Sequence, residues 1–534
     1  MSIAIADADF VIAGGGSAGC VLAARLSENP RHKVVLLEAG GSSDNMLVKM
    51  PVGTYLLLSK PKTDWMYVPE PDPSLLDRQV TWMAGKMLGG GSSINGMVYI
   101  RGARSDYDSW ANDLGCSGWS WGEVQRYFMK SEGYGGESGP THSKDGSLGV
   151  SARPQYHPLA QKFIDACHER GLRKVEDYCS GDIDGAFTNL VTQRKGQRSS
   201  AARAFLETAM KRPNLQVITE ALVDKVLIEN GRATGVQFIK DGEKHTVNAR
   251  REVVISASTM QSPAILMRSG IGPANALREL GIEVKVDAPE VGRNLQEHAS
   301  VNTSYFVDIP TYNNMVTAGK MPWNILNYFL FGRGALTVTP VEAMAYLRSQ
   351  PCLEHPDIKL QFGALVFDAE NPGPHKRPGI IVYANVAKPR SRGEIRLRSI
   401  DPIDKPVIDH RLLGDPADVL ALIRGLKEVD EIFNAPALAG HLRGRLHPVI
   451  KPKTDAEWEQ HIRSTAGIGY HPVGTCRMGG DAASVVDPEL KVRGVAGLRV
   501  VDASIMPVMP AANTNAPAIM IGEKAADMIL QGCM

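Results

Sequence analysis

Residues 9–38 constrain this chain more than any other stretch. Asp9–Ala13 (DFVIA) is a short apolar run that reads as a buried strand. Gly14-Gly15-Gly16-Ser17-Ala18-Gly19 follows, a G-x-G-x-x-G with its glycines at 14, 16 and 19. Cys20–Leu26 is small, apolar and helix-favouring, and Lys33–Leu37 (KVVLL) predicts a second buried strand ending at Glu38. In a βαβ unit Gly14 turns the chain off the strand, Gly16 lets a pyrophosphate approach the backbone, and Gly19 lets the helix sit close to the sheet. Ser17 and Ala18 open that helix, whose free N–H groups and partial positive charge suit phosphate. Glu38 lies 19 residues past Gly19, where an acid accepts hydrogen bonds from a ribose. It would repel a 2′-phosphate, so FAD or NAD is favoured over NADP. A glycine turn without a ligand is the alternative for the motif alone; strand, loop, helix, strand and acid in order favour the dinucleotide.

A length of 534 residues suggests about two to four domains. Lys+Arg 59 against Asp+Glu 58 leaves a net charge of +1, which gives no reason to expect nucleic acid or an acidic membrane as partner. The seven cysteines are odd in number, widely spaced and without a C-x-x-C pair, so neither a disulfide framework nor a metal site is expected. The opening MSIAIADAD has no basic region and no long apolar core, and the cytoplasm is the expected location. No run of about 18 apolar residues occurs, so no transmembrane helix is expected. Trp323–Phe331 (WNILNYFLF) is too short to span a bilayer. It reads as a helix lying over a pocket, with contact to a membrane surface as the alternative.

After Glu38 and Ala39 the pattern loosens into a loop with a short helical turn, placed to cover a bound cofactor. Trp65 follows it, either flanking a ligand or filling core. Residues 85–108 (GKMLGGGSSINGMVYIRGARSDYD) form a second glycine-rich loop, with Gly90 and Ser92 at its centre. Three consecutive glycines and two serines exclude a regular helix or strand interior and present many backbone N–H groups to a flat or anionic ligand. A structural turn is the alternative.

GKxLGGGSxIN, followed by Tyr99, Gly102 and Asp108, resembles the first signature of the glucose–methanol–choline (GMC) oxidoreductases, FAD-dependent enzymes. Residues 258–272 (STMQSPAILMRSGIG) resemble the second. HPVGTCRMG at 471–479, LRVVDASIMP at 498–507 and NTNAPAIMIGEKAAD at 513–527 resemble the family's C-terminal part. The resemblance runs from about residue 9 to 527. It implies an α/β fold, α+β overall: a discontinuous Rossmann-like FAD-binding domain plus a substrate domain with an antiparallel sheet flanked by helices. The expected boundaries are 1–150, 198–295 and 480–534 for the FAD-binding parts, with 151–197 and 296–479 on the substrate side.

The middle of the chain fits that division. Leu159–Arg170 predicts an amphipathic helix, and Arg198–Leu206 a helix start capped by Ser199 or Ser200. Leu215–Ile218, Ala221–Ile228, Ala233–Phe238 and Thr246–Ile255 predict strands, most of them a small meander inserted before the chain returns to the main sheet. Further strands are expected at Ile380–Ala387 and Gly393–Ser399, and helices at Met321–Phe331 and Pro416–Ile432.

On residues alone His471, before a proline, reads as a loop histidine and Asn515 as a turn residue. The resemblance makes them the catalytic pair of an alcohol oxidase or dehydrogenase. A neutral His471 would take the hydroxyl proton of a primary alcohol, Asn515 would donate to the same oxygen, and a hydride would pass to flavin N5. Asparagine cannot act as a base, so that role falls to His471. Asn95, Gly96, Met97 and Val98 are implied along the isoalloxazine, Val223 at the adenine, Asp502 and Ala503 at the pyrophosphate, and Thr514 and Tyr470 near the flavin. Some members attach FAD through a histidine where this chain has Ile94, so non-covalent FAD is expected. Tyr470, Val366 and Phe367 are expected to line the substrate pocket. Such a lining favours an aromatic, furanyl or aliphatic primary alcohol, and choline is disfavoured because no acid is evident beside these motifs. The electron acceptor is oxygen, a quinone or another acceptor. A lyase or photodecarboxylase on the same fold, a non-catalytic flavoprotein and an NAD-dependent dehydrogenase are the rival readings.

Overall fold

The structure is a computed structural model and describes residues 7–153, 155–315, 317–367 and 373–532. The first strand, β1 (Ala8–Ala13), is buried along its whole length; α1 (Ser17–Leu26) follows it, and then β2 (Val34–Leu37), also buried throughout. A strand covered on both faces needs a continuous apolar run rather than alternation, and FVIA and VVLL supply it. The same sheet receives β3 (Leu215–Ile218), the meander of β4 (Leu222–Glu229) and β5 (Arg232–Lys240), and then β6 (Glu243–Ile255). Its parallel part runs β3-β2-β1-β6, with Leu498–Val500 added parallel to β6. The long strand β6 joins two layers. Its first half pairs antiparallel with β5 as far as Asn248, and from Ala249 onward it pairs parallel with β1.

Helix α2 (Ser258–Arg268) leaves the end of β6, and α3 (Asn515–Gln531) lies along α1. The two helices approach closely because α3 carries Gly522 at the crossing, where a Cβ would meet Ala18 O and Val21 Cβ at 3.0 Å. Arg25 of α1 pairs with buried Glu523 of α3 at 2.7 Å.

A second seven-stranded sheet is antiparallel throughout. Its order is Leu442–His447, Ala299–Val307, Gly379–Val386, Ile358–Gly363, Ala343–Leu347 and Ala186–Thr188, with Gly467–Ile468 also paired to Ala299–Val307. Helices Pro158–Glu169 and Pro416–Asn434 cover it. Each begins with a proline, whose fixed φ suits the first helical turn; Asp415 caps the second by accepting from Ala417 N.

Three local features differ from the sequence expectation. Glu394–Arg396 is a strand, but it pairs with Val407–Asp409 in a separate ribbon. The segment after Arg198 is a π-helical turn at Ala202–Leu206 before a short α-helical one, with Ser200 Oγ accepting from Arg203 N. In the helix Met321–Phe331 the polar Asn324 and Tyr328 face the protein while most of its apolar side chains face solvent.

Candidate active site

The first glycine loop is held by contacts only glycine permits. Gly14 has φ 111° and donates to Leu37 O at 2.8 Å; a Cβ there would fall 2.3 Å from Ser256 O. A Cβ on Gly19 would fall 2.0 Å from Gly14 O. Gly16 is different, because nothing of the chain comes nearer than 4.0 Å to a Cβ at that place. Its open face is room for a ligand. Glu38 is buried and accepts from Gly15 N and Gly40 N, both at 2.8 Å. Burial pushes its carboxyl up to about 7, against those two hydrogen bonds. Ala221 N donates to Glu38 O at 2.9 Å; Val223, two residues on, is buried, and its carbonyl accepts from Arg268 at 3.4 Å. Ala39 is half-buried next to it.

The two glycine loops touch. Gly89 N donates to Gly15 O at 2.7 Å, and a Cβ on Gly90 would come 3.0 Å from Gly16 Cα. Ser92 spends its hydroxyl on Gly89 O and on Ala201 N, so it fixes the loop. Asn95 accepts from Met97 N at 3.0 Å and from Arg198 at 2.8 Å. Met97 adopts φ 61°, Val98 pairs with Val191, and Gly96 packs under Pro340. Arg198 is the organiser of this loop. Its buried guanidinium has no carboxylate partner among the described residues; it donates to the carbonyls of Val48, Ser92 and Asn95 and to the Thr54 hydroxyl. Burial lowers it to about 9. Ile94 sits in a small apolar cluster with Val48, Leu57 and Met87. Trp65 stacks on Tyr67 at 5.7 Å, and the Lys86 amine lies over its ring at 4.9 Å.

His471 is buried in a polar cluster at the edge of the second sheet. Its backbone N–H donates to Glu297 at 2.8 Å, and its Nδ1 lies 3.0 Å from Nδ1 of His298. His298 Nε2 lies 3.1 Å from Ala387 O. A carbonyl can only accept, so that nitrogen carries a proton. Burial drives both imidazoles well below the ordinary range, and Lys359 adds to this, so both are neutral. The Nδ1 of His298 is then a lone pair, with two neighbours able to donate to it, Nδ1 of His471 and the Lys359 amine. Where His471 is the donor, its Nε2 carries the lone pair. Lys359 Nζ sits 3.1 Å from the same His298 nitrogen and is pushed down to about 7 by burial. Glu297, raised to about 8 by burial, receives the N–H groups of His298 and His471. Gly469 makes room for the pair, since a Cβ there would lie 2.8 Å from His471 Nδ1.

Asn515 begins α3. Its Oδ1 accepts the Ser17 hydroxyl at 2.9 Å. Its Nδ2 is buried and has no partner among the described residues. An orphan donor of this kind is costly unless a ligand atom meets it. Together with the open face of Gly16 it fits a bound cofactor and substrate. Thr514 precedes it, partly buried, as the cap of α3.

Asp502 is used internally: it accepts from Ser258 N and Ser262 Oγ at the start of α2 and from Ser504 N. Burial raises its carboxyl. Ala503 follows it, partly buried. Tyr470 has φ 63° and is 49% exposed beside His471. Phe367 is partly buried and packs on Tyr55 at 5.7 Å. Val366 is fully buried, against Gly379, with its backbone held by Asn313, so it backs this wall from behind.

Sequence reasoning missed Glu297, His298, Lys359 and Arg198. The acid beside HPVGT comes from Gln296-Glu297-His298, and Gln296 bridges in register to Val473. The signal available was the Glu-His pair itself in NLQEH.

The family model for GMC oxidoreductase matches this chain in two parts, N-terminal over residues 8–300 and C-terminal over 389–522. The chain is 41% identical over 531 residues to an oxygen-dependent choline dehydrogenase of Sinorhizobium medicae (strain WSM419), covering 98% of this chain and 95% of that one. It is 40% identical over 530 residues to an alcohol dehydrogenase [acceptor] of Pseudomonas putida, covering 98% and 96%. Among solved structures, pyridoxine 4-oxidase from Mesorbium loti superposes with a TM-score of 0.88 at 31% identity, covering 98% and 99%. The chain therefore belongs to the GMC oxidoreductases, FAD-dependent enzymes acting on CH–OH donors.

Proposed function

We propose that this enzyme oxidises a primary alcohol to its aldehyde, with FAD held non-covalently and His471 as the base. The observation that carries the reading is the His298–His471 contact: with His471 donating to the lone pair of His298, its Nε2 is free to take a proton. That nitrogen takes the hydroxyl proton, and Nδ2 of Asn515 donates to the same oxygen as it gains alkoxide character. FAD, when bound, supplies the hydride acceptor. Gly14–Gly19 and Glu38 hold its dinucleotide portion, and residues 95–98, braced by Arg198, support the ring. Ile94, packed among Val48, Leu57 and Met87, offers no nucleophile for a covalent link. Tyr470 and Phe367 favour an apolar or aromatic alcohol.

Choline is the second reading, favoured by the choline dehydrogenase relatives. Anaerobic mixing of the holoenzyme with benzyl, furfuryl and aliphatic alcohols and choline, following flavin bleaching, ranks them. Fast recovery in air with peroxide indicates an oxidase; slow recovery indicates a dehydrogenase using a quinone or other acceptor. Full flavin occupancy with no bleaching by any of these overturns the proposal in favour of lyase or photochemical activity.

A further inference from the structure

We propose that the helix Met321–Phe331 and the adjoining loop 46–63 form a surface that docks on an anionic lipid bilayer. The helix is inverted relative to what water selects. Asn324 turns inward and donates to Met315 O at 2.7 Å, and Tyr328 is buried next to it. Outward stand Trp323 (62% exposed), Phe329 (58%), Leu330 (63%) and Phe331 (64%). The surface continues without a break. Gly332 packs against Gly196, where a Cβ would lie 2.1 Å from Gly332 O, and Pro51–Gly53 packs on Ala335–Thr337. That brings in Leu56, itself 62% exposed. A contiguous apolar patch of this kind marks a docking site.

Charge selects the occupant. The whole-chain balance of +1 hides a local one, because residues 309–341 and 45–63 contain no Asp or Glu. Lys60, Lys62, Lys195 and Arg333 are exposed around the apolar side chains and form no ion pair among the described residues. An apolar centre with a cationic rim, including an indole, is the pattern of a helix lying in the interface of a bilayer with anionic headgroups. A second copy of the chain would face the same cations across the two-fold axis. No helix among the described residues is long and apolar enough to cross a membrane, so the contact is from one side.

Co-flotation of the FAD-loaded full chain with phosphatidylcholine vesicles, with and without phosphatidylglycerol, tests this. Binding is expected to the phosphatidylglycerol vesicles, to weaken with salt, and to fall at least about tenfold in the surface variant Phe329→Ser/Leu330→Ser. The variant Lys195→Glu/Arg333→Glu is expected to lose the preference for anionic lipid. Flavin absorbance and the melting midpoint serve as folding controls. Absence of wild-type flotation, or undiminished flotation of the serine variant, overturns the proposal. So does a stable dimer in sedimentation velocity that the serine variant dissociates, which would assign the surface to a second copy.

Discussion

The Nδ1 atoms of His298 and His471 lie 3.0 Å apart, and a hydrogen bond donated by His471 across this contact would leave its Nε2 as the basic nitrogen proposed above. Replacing His298 by leucine removes the acceptor and frees His471 to take the other tautomer. The rate constant for anaerobic flavin reduction is expected to fall about 10–100-fold, the usual cost of losing an orienting partner, with FAD still bound. His298→Asn, whose amide carbonyl can still accept, is expected to recover part of the loss.

Ser17 and Asn515 are separated by 498 residues and joined at 2.9 Å. Asn515→Ala removes the orphan donor and is expected to slow reduction by about 10²–10³-fold, as for a lost oxyanion donor. Ser17→Ala leaves the donor but unpins the amide, so its loss is expected to be smaller. Stopped-flow reduction of both variants by one alcohol tests the ranking.

Gly14 and Gly16 separate folding from binding. Gly14→Ala drives a methyl into Ser256 O at 2.3 Å with φ at 111°, and is expected to lower the melting temperature of apoprotein and holoenzyme alike. Gly16→Ala meets nothing of the chain within 4.0 Å. It is expected to melt normally as apoprotein and to bind FAD more weakly, read by reconstitution titration.

Away from the site, His142 is clamped between Glu132 at 3.0 Å and Asp177 at 3.4 Å. Burial opposes its charge, but the hydrogen bonds to Asp177 and Glu132 win and raise the imidazole from its ordinary 6.5 to about 9. The folded state therefore holds this proton more tightly than the unfolded chain does. Its stabilisation is complete below 6.5 and is lost as pH rises through about 9. Melting temperature is expected to decline across that window, and His142→Gln to flatten the decline.

Local patterns made much of the fold legible. Leu215–Ile218 and Met321–Phe331 occupy the residues their sequence suggests, because strand alternation and a run of helix-compatible apolar residues are local signals. The proposed catalytic residues, His471 and Asn515, were named through the motifs around them. Their wiring was not legible. His298 and Lys359 lie 61 residues apart, and His298 and His471 lie 173 apart; no periodicity encodes a contact of that range. Arg198 looked like the opening of a helix, since a cation whose partners are mostly backbone carbonyls leaves no complementary acid to find. The outward face of Met321–Phe331 was hidden for a related reason: an apolar helix reads the same whether the protein or something else covers it.

The first sheet takes a strand from Leu498–Val500, and α1 rests on α3. On the ribosome, β1, α1 and β2 emerge well before α3, so one flank waits for a helix made roughly 480 residues later. Synthesis runs at about 5–20 residues per second, so the apolar flank of α1 must stay covered for tens of seconds before Ile519 and Ile521 exist. The order of translation thus runs against the order of assembly, and a chain truncated before residue 498 would lack the strand that completes the parallel layer as well as the helix that covers it.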